Sequence, residues 1–294
     1  MSRTYRAATR GSKLALWQTE HVAGLLGIDV EPVVISTKGD QRRDVPIEAI
    51  RGQGVFVKEV QAAVLDGRAD FAVHSAKDLP STEADGLVIA AIPERGDPRD
   101  ALIGSTLDGL CEGALVGTGS VRRAAQLAAM RPDLRFAGLR GNVDTRLAKL
   151  GDYDAIVMAV APLVRLQMDA NWHALDPAEF VPQVGQGALA VECRSDDEGL
   201  RGMLGAIEHV ESRRAVDAER SYLARLGGGC DLPVGAYATI DSGEVVLDVL
   251  IAALDGTRVV RRSARSADGV ALGVELANAV LADGGADLLA FRNR

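Results

Sequence analysis

The strongest constraint on the fold is a pattern that occurs twice: an apolar run of strand length, a short polar turn, and then the apolar periodicity of a helix. In the first stretch, the predicted strands are residues 5–8, 30–35, 71–73 and 87–92, and the predicted helices are 13–26 and 55–65. In the second stretch, the predicted strands are 114–116, 135–139 and 155–160, and the predicted helices are 121–130 and 143–150. Strands that alternate with helices favour parallel sheets with right-handed crossovers. The sequence therefore predicts two α/β domains.

The end of the chain predicts a third domain of another kind. A helix at 211–226 is followed by strands at 244–254 and 257–266 and a helix at 270–282. The two strands flank Asp255 and Gly256, a pair that favours a two-residue type I′ hairpin turn. The predicted domains are an α/β domain over 1–95 with 188–208, which takes back the apolar run 188–193 as a strand, an α/β domain over 98–184, and an α+β domain over 211–294.

Two segments lack periodicity. Prolines and charges interrupt residues 93–100, which we interpret as a linker. The charged segment 36–54, which is punctuated by glycines, is interpreted as a mobile lid or a disordered insert.

Composition limits the possible functions. The 294 residues carry a formal net charge of -8 and only 4% aromatic residues, which argues against nucleic-acid binding because a basic face and stacking platforms are lacking. No run approaches membrane-spanning length, and neither an export signal nor a metal-binding motif is found. The three cysteines fit a reducing compartment. We expect a cytoplasmic protein with no nucleic acid, no membrane and no metal.

A polar cluster directly follows the predicted strand 71–73. Ser75, Lys77 and Asp78 fall at its carboxyl end, where open α/β sheets form their ligand crevices. Pro80 prevents a helix from continuing the strand. A solvated loop is the alternative interpretation, because charged residues are mostly exposed. This cluster is the first candidate for chemistry.

Three predicted turns between a strand and a helix carry cations. They are Arg10 with Ser12, Ser120 with Arg122 and Arg123, and Arg140 with Arg146. Helix amino termini attract anions, Ser12 is a predicted N-cap, and arginine grips a carboxylate through two hydrogen bonds. One such arginine is most often a solvated surface residue, but several turns together indicate a ligand with many carboxylates. A nucleotide is not favoured, because Arg122 replaces the third glycine of the dinucleotide motif.

Cys230 follows three glycines behind the predicted helix 211–226. Free cysteines are commonly buried as apolar residues. Glycines favour an exposed, adaptable loop, in which a thiolate can act as a nucleophile or an attachment point. The residues alone leave both interpretations open.

Seven segments resemble the signatures of one enzyme family, in that family's order. They are ATRGSKLALWQ (8–18), GVFVKE (54–59), AVHSAKD (72–78), GTGSVRR (117–123), LRGNV (139–143), VGQGA (184–188) and GGC (228–230). On these segments the sequence resembles the hydroxymethylbilane synthase family, also called porphobilinogen deaminase. The last part of the chain matches in pattern only.

The resemblance implies a transferase that joins four porphobilinogen molecules head to tail, with release of ammonia, to give the linear tetrapyrrole hydroxymethylbilane. It also implies a dipyrromethane cofactor bound covalently to Cys230, and a catalytic Asp78 that assists ammonia loss and stabilises cationic intermediates. The residues that match cofactor-binding positions are Ser75, Lys77, Ser120, Arg122, Arg123, Arg140 and Arg146. Those that match substrate-binding positions are Arg10, Ser12, Arg140, Arg146, Arg165 and Gln186.

The implied fold has two α/β domains like the halves of periplasmic binding proteins, with the site in the cleft between them, and a small C-terminal α+β domain that presents Cys230. We expect a monomer. The alternative is a non-catalytic anion-binding protein on the same two-domain fold, which would need neither Asp78 nor Cys230. The sequence departs from the family at Gln53, where lysine is common, and at Gly119, where serine is common and a hydroxyl contact is lost.

Overall fold

The computed structural model describes residues 3–37, 57–228 and 232–290. Most of the predicted lid, with Gln53, and the predicted attachment residue Cys230 lie outside the described residues. The chain forms two compact units, Met1–Gly96 with Gly187–Arg213 and Asp97–Gln186 with Arg214–Arg294. The second unit contains both the second α/β sheet and the C-terminal antiparallel sheet.

The first unit is built on a five-stranded sheet. Its strands are β1 (Tyr5–Arg10), β2 (Val30–Ile35), β3 (Phe71–Ser75), β4 (Leu87–Ala91) and β10 (Leu189–Arg194), and its helices are α1 (Lys13–Leu26), α2 (Lys58–Leu65) and α6 (Glu198–Leu204). In the order β2-β1-β3-β10-β4, the first three strands are parallel and β10 is antiparallel to both neighbours. The sheet is therefore mixed rather than wholly parallel, because β10 returns to it from a distant part of the chain.

Successive residues of these strands enter two different apolar layers. In β3, Phe71 and Val73 belong to the layer that contains Val22. Ala72, between them, belongs to the other layer with Val60. Side chains alternate between the faces of a strand, so a sheet covered on both faces needs continuously apolar strands. Polar residues are thereby confined mainly to the strand ends, where the candidate site lies.

The second unit contains a sheet of the same design. Its strands are β5 (Asp100–Ile103), β6 (Leu115–Gly117), β7 (Arg135–Ala137), β8 (Ala155–Ala159) and β9 (Trp172–Ala174), and its helices are α3 (Val121–Met130), α4 (Val143–Ala148) and α5 (Val160–Arg165). In the order β7-β6-β8-β5-β9, the first three strands are parallel and β5 is antiparallel to both neighbours. Both units thus have the same sequence of parallel and antiparallel strands.

Two strands of this second sheet escape prediction. β5 begins at Asp100, the last residue of the predicted linker, so the linker interpretation is wrong for that residue. The other is β9, which has three residues with the polar His173 at its centre.

The C-terminal part of the second unit is a three-stranded antiparallel sheet with helices. The strands, in sheet order, are β11 (Val234–Asp241), β12 (Glu244–Ala252) and β13 (Val259–Ser266), and the helices are α7 (Val210–Arg225), α8 (Gly269–Val280) and α9 (Ala286–Ala290). One apolar cluster joins Tyr222 of α7, Val249 of β12 and Leu276 of α8. The sheet and its helices therefore share a core.

The predicted hairpin of β12 and β13 is confirmed, but the predicted two-residue turn is wrong. Ala252 pairs with Val259, so residues 253–258 form the connection. A Cβ at Gly256 would lie 2.4 Å from the backbone nitrogen of Ala129. Close packing against α3 therefore determines this loop, and the sequence pattern carries no sign of it.

The predicted fold class is confirmed: two α/β sheets and a small C-terminal antiparallel sheet with helices. The division of the second unit into two domains stays a prediction, since the structure joins them in one compact unit. Of the helices in the described ranges, none has the length and apolar character needed to cross a membrane.

Candidate active site

In the first unit, two polar turns lie side by side at one edge of the sheet. Strands β1 and β3 are parallel neighbours, with Ala8 opposite Ala72, so both end at the same edge. Arg10 and Ser12 follow from β1, and Asp78 follows β3. The structure therefore brings together residues that are far apart in the sequence.

The turn after β3 is a single turn of 3-10 helix, Ala76–Asp78. The N–H of Ala76 donates to the carbonyl of Ala188 at 3.0 Å, which ties the turn to the start of β10. Ser75 Oγ accepts a hydrogen bond from Nε2 of the buried Gln18 at 2.9 Å. Lys77 and Asp78 are half-buried. The turn is thus fixed to the sheet and to α1.

The carboxylate of Asp78 has no hydrogen-bond or ion-pair partner within the part of the chain that the structure describes. Most half-buried carboxylates are stabilised by a cation or by N–H donors. The described residues therefore leave the Asp78 carboxylate without a stabilising contact.

Ser12 is the N-cap of α1, as predicted. Its Oγ accepts a hydrogen bond from the N–H of Ala15 at 3.2 Å. A capping hydroxyl uses a lone pair and keeps its proton, so it can still donate to a ligand oxygen. Arg10, the last residue of β1, is half-buried just before this turn. Together with the helix dipole, the two side chains make this turn suitable for a carboxylate.

In the second unit, the candidate residues follow three adjacent parallel strands. β7, β6 and β8 lie next to one another and end at one edge of the sheet. The residues after them are Arg140 and Arg146 beyond β7, Ser120, Arg122 and Arg123 beyond β6, and Arg165 at the end of α5 beyond β8. Gln186 reaches the same edge, because it donates to Asp100, which pairs with Ala159 at the end of β8.

Two of the turns in the second unit are capped by side chains. Ser120 Oγ accepts from the N–H of Arg123 at 3.4 Å, and Asn142 Oδ1 accepts from the N–H of Thr145 at 3.3 Å. Arg146 Nε donates to the carbonyl of Gly141 at 2.8 Å. The bonds around Asn142 and Gly141 fix the turn next to Arg140 and Arg146, which are half-buried. Arg165, at the end of α5, is also half-buried.

Arg122 and Arg123 differ from those half-buried arginines, since they are only 3% and 6% exposed. Arg122 Nη2 donates to Asp100 Oδ2 at 2.7 Å, and Arg123 Nε donates to Asp100 Oδ1 at 2.8 Å. Further donors of the two arginines reach the carbonyls of Val181 at 2.7 Å and Val157 at 3.3 Å. Most of their hydrogen-bonding capacity is therefore used inside the protein.

Burial and neighbouring charges shift the pKa values of Asp100, Arg122 and Arg165. Burial by itself raises the pKa of Asp100, but the charges of Arg122 and Arg123 outweigh it and lower the pKa to about 2. Burial lowers the pKa of Arg122, and Asp100 counters part of that change. Burial also lowers the pKa of Arg165 to about 10. An anionic ligand near Arg165 would oppose that shift, because an opposite charge favours the charged form.

Several buried polar residues packed in or against these sheets are not predicted from the sequence. Asp100 is hidden in an apparent linker, and Gln18 lies on an ordinary helix. His74 Nε2 lies 3.3 Å from Glu192 Oε2, with both side chains buried. Gln61 Nε2 donates to Glu192 Oε1 at 3.0 Å. The one available signal is Glu192 itself, an ionisable residue within an apolar strand.

The departure at Gly119 has a steric explanation. A Cβ at this position would lie 2.8 Å from the carbonyl oxygen of Leu139. A serine would therefore force the backbones of two neighbouring turns apart, so glycine fits this chain's own arrangement.

Two family models match the chain. One is described as "Porphobilinogen deaminase, dipyromethane cofactor binding domain" and matches residues 5–202, and the other is "Porphobilinogen deaminase, C-terminal domain" and matches residues 213–282. The chain belongs to the porphobilinogen deaminase family. The porphobilinogen deaminase of Nitratidesulfovibrio vulgaris is 49% identical, over 96% of this chain and 94% of its own length. That of Brevibacillus brevis is 46% identical, over 97% and 96%.

A periplasmic substrate-binding protein of an ABC transporter from Coxiella burnetii is similar in structure, with a TM-score of 0.41 and 15% identity over 71% of this chain and 93% of that one. A likeness at that level carries no argument about function. The relatives confirm the predicted family, the transferase activity and the dipyrromethane cofactor. The alternative of a non-catalytic anion-binding protein is not favoured.

Proposed function

We propose that this chain condenses four porphobilinogen molecules into hydroxymethylbilane with Asp78 as the catalytic residue. In each step the C–N bond of the aminomethyl group breaks, and the electron pair leaves with the nitrogen as ammonia. The positive charge that remains is shared between the methylene carbon and the pyrrole nitrogen. A carbon–carbon bond then forms with the α-carbon of a second pyrrole, which loses its proton. Release of the finished tetrapyrrole consumes one water molecule, whose oxygen becomes the hydroxyl group of hydroxymethylbilane. The protein must therefore orient the amine, stabilise one cation and bind carboxylates.

The observation that carries this proposal is the environment of Asp78. Its half-buried carboxylate has no partner among the described residues and shares a sheet edge with Arg10 and Ser12. Such an anion can hold the ammonium group and then offset the cation as it develops. Arg10 and Ser12 can bind a carboxylate of the same substrate, which orients the reacting carbon.

The arginine-bearing turns suit the acetate and propionate groups of each pyrrole. The residues proposed to bind them directly are Arg10, Ser12, Ser75, Lys77, Ser120, Arg140, Arg146 and Arg165, which are all half-buried. Arg123 and Gln186 are proposed to act from the network around Asp100. We assign Arg122 to internal structure instead, because its guanidinium is buried against Asp100 and Val181.

The residues of this chain also fit the dipyrromethane group. Its two pyrroles bring acidic side chains, and the turns of the second unit supply half-buried arginines and a serine-capped helix terminus. Burial lowers the pKa of Arg165, and a carboxylate beside it would offset that effect. We propose that Ser120, Arg123, Arg140 and Arg146 of the second unit hold the group and that Cys230 forms a thioether with it. When bound, the group supplies the pyrrole carbon to which the first substrate unit is joined.

We further propose a cytoplasmic monomer that binds porphobilinogen and no nucleic acid. The net charge of -8 supports the absence of a nucleic-acid partner, because a polyanion is repelled by such a protein. Three cysteines without a paired framework support a reducing compartment.

Intact mass and an absorbance assay for the bilane test this function. Purified protein should be heavier than its sequence by one dipyrromethane, and porphobilinogen should be consumed with release of ammonia. Cys230→Ser should lack the added mass and the activity. Cys111→Ser is the matched control, since Cys111 is an exposed free thiol. Active protein of unmodified mass, or an adduct that persists in Cys230→Ser, would remove Cys230 from the mechanism.

A further inference from the structure

Asp100 joins its own strand to side chains from two other segments of the second unit. It is the first residue of β5 and is 0% exposed. Its Oδ1 accepts from Arg123 Nε at 2.8 Å and from Gln186 Nε2 at 3.0 Å, and its Oδ2 accepts from Arg122 at 2.7 Å. The same Gln186 amide also donates to the carbonyl of Pro98 at 2.8 Å. One buried carboxylate therefore fixes two guanidinium groups and one amide.

The cluster keeps an excess of positive charge. Within the described ranges, Asp100 is the only anion that contacts Arg122 or Arg123, so two cations share one negative charge. The Nε–H of Arg122 is buried and has no acceptor among the described residues. Buried charges and donors of this kind are costly unless they are matched. One net positive charge remains, which matches the charge of a single carboxylate.

The cluster also lies where a ligand is expected. Ser120, the N-cap of α3, precedes both arginines in the sequence, and Ser120 Oγ bonds to the N–H of Arg123. Arg123 Nη2 reaches Gln186 Oε1 at 3.4 Å, so the arginine and the amide constrain each other. A change in the direction of Asp100 would move both of them.

We propose that Asp100 is a positioning residue for the carboxylate-binding edge of the second unit. It holds Arg123 and Gln186 in fixed directions and reduces the charge of the arginine pair to one, so that this place takes one carboxylate of a pyrrole ligand. Arg122 is the second cation that pairs with Asp100, and it belongs to the internal structure. The inference rests on the proposed function and adds to it a residue that never touches the substrate.

The test compares wild type, Asp100→Asn, the double variant Asp100→Asn with Arg122→Met, and Asp97→Asn. Asp97 is the matched control because it lies in the same segment and pairs with Arg99 near the surface. For each protein, intact mass gives the dipyrromethane content, thermal unfolding gives the midpoint, and the bilane assay gives kcat and KM for porphobilinogen, with kcat corrected for primer content.

In Asp100→Asn we expect a lower unfolding midpoint, less dipyrromethane, and a KM raised on the order of 10-fold to 100-fold, with the corrected kcat within about threefold of wild type. The double variant removes one cation with the anion, so its charge excess equals that of wild type. Its unfolding midpoint should return toward the wild-type value. Its KM should stay raised, because no carboxylate at position 100 fixes the directions of Arg123 and Gln186. A purely structural role would change the midpoint without this separation of KM from kcat.

Three results would overturn the inference. They are an Asp100→Asn variant whose primer content and KM equal those of Asp97→Asn, a double variant whose KM returns to the wild-type value, and a double variant that does not fold. If Asp100→Asn itself fails to fold, the KM of the double variant decides. Wild-type protein that forms no bilane in the same assay would instead reject the proposed function, so the two failures are distinguishable.

Discussion

Asp78 and Asp100 lie near equivalent edges of two sheets with the same strand order, but their surroundings are opposite. Asp78 follows a parallel strand of the first unit, is half-buried, and has no partner among the described residues. Asp100 lies beside the end of the equivalent strand of the second unit and is bonded to two arginines and a glutamine. Position at the edge is therefore insufficient to assign a role. We expect a charged side chain with several internal partners to stabilise the fold, and one with none among the described residues to bind a ligand.

The same difference separates the arginines of the second unit. Arg122 and Arg123 are buried around Asp100, whereas Arg140 and Arg146 are half-buried. All of them follow a strand and a turn, so the sequence treats them alike. Their burial predicts that substitutions at the first pair act mainly on stability or ligand geometry, and at the second pair mainly on ligand affinity.

The largest expected effect is the loss of turnover in Asp78→Asn. Asparagine keeps the size of the side chain but removes the charge that offsets the cation, and the loss of one such electrostatic partner lowers kcat on the order of 10²-fold to 10³-fold. Because Asp78 stabilises no described residue, the free energy of unfolding should change by less than about 0.5 kcal/mol. Bilane formation and urea unfolding measure the two quantities.

Asp85→Asn is the matched control for Asp78→Asn, because Asp85 is an exposed carboxylate of the same unit. It should keep full turnover. Near-normal turnover in an Asp78→Asn protein that carries its dipyrromethane would contradict the catalytic role. The difference in surroundings between Asp78 and Asp100 would then correspond to no difference in function.

The second prediction concerns pH and Asp100. The pKa of Asp100 lies at about 2 when folded, below its ordinary value of 3.8, because two guanidinium charges outweigh its burial. The lowered pKa stabilises the folded state above about pH 4, and this contribution of roughly 2 kcal/mol is lost as the pH falls through the folded pKa. Asp100→Asn cannot titrate. The difference in the free energy of unfolding between wild type and Asp100→Asn should therefore be constant near neutral pH and shrink in acid.

Urea unfolding across the acid range measures this difference. Asp97→Asn is again the control, since its carboxylate is closer to the surface and pairs with a single arginine. A difference between wild type and Asp100→Asn that does not change with pH would show that the Asp100 carboxylate is not the group that the arginines stabilise.

The third prediction addresses Arg122. Arg122→Leu removes the donors to Asp100 and to the carbonyl of Val181, while Asp100 keeps Arg123 as a counter-charge. Loss of such buried hydrogen bonds lowers the free energy of unfolding by about 1–3 kcal/mol. Arg262→Leu, which removes an exposed pair with Asp283, should cost less than about 1 kcal/mol. Equal midpoints of urea unfolding for the two variants would mean that Arg122 is not a structural residue.

The strand and helix pattern was enough to predict the fold class, and the polar strand ends were enough to predict the edges that carry the candidate residues. The role of Asp100 could not be predicted. Its partners lie 22, 23 and 86 residues away in the sequence, and prolines beside it mimic a linker. Hydropathy cannot distinguish a solvated arginine from one that is buried against a carboxylate, so Arg122 and Arg140 look alike until their contacts are known. The hairpin loop at 253–258 was mispredicted for a related reason, because it depends on contact with α3.

The smallest expected effect is that of Arg140→Leu, which tests whether the half-buried arginines bind the ligand. Arg140 is half-buried in the turn beyond the carboxyl end of β7, and Arg135 lies exposed at the amino end of the same strand. Arg140→Leu should raise the KM for porphobilinogen or lower the dipyrromethane content about tenfold, which corresponds to about 1.4 kcal/mol of binding energy. Arg135→Leu should leave both unchanged, because it lies at the opposite edge of the sheet.

Arg140→Lys should recover only part of the loss, since lysine keeps the charge but lacks the planar fork that binds a carboxylate through two hydrogen bonds. Urea unfolding should place both Arg140 variants within about 1 kcal/mol of wild type, because a half-buried side chain contributes less to stability than a fully buried one. A wild-type KM and a full dipyrromethane content in Arg140→Leu would show that this arginine does not bind the ligand, and burial would then fail to separate ligand-binding arginines from structural ones. Full recovery in Arg140→Lys would leave the charge of Arg140 as the property that matters and remove the argument for bidentate binding at this turn.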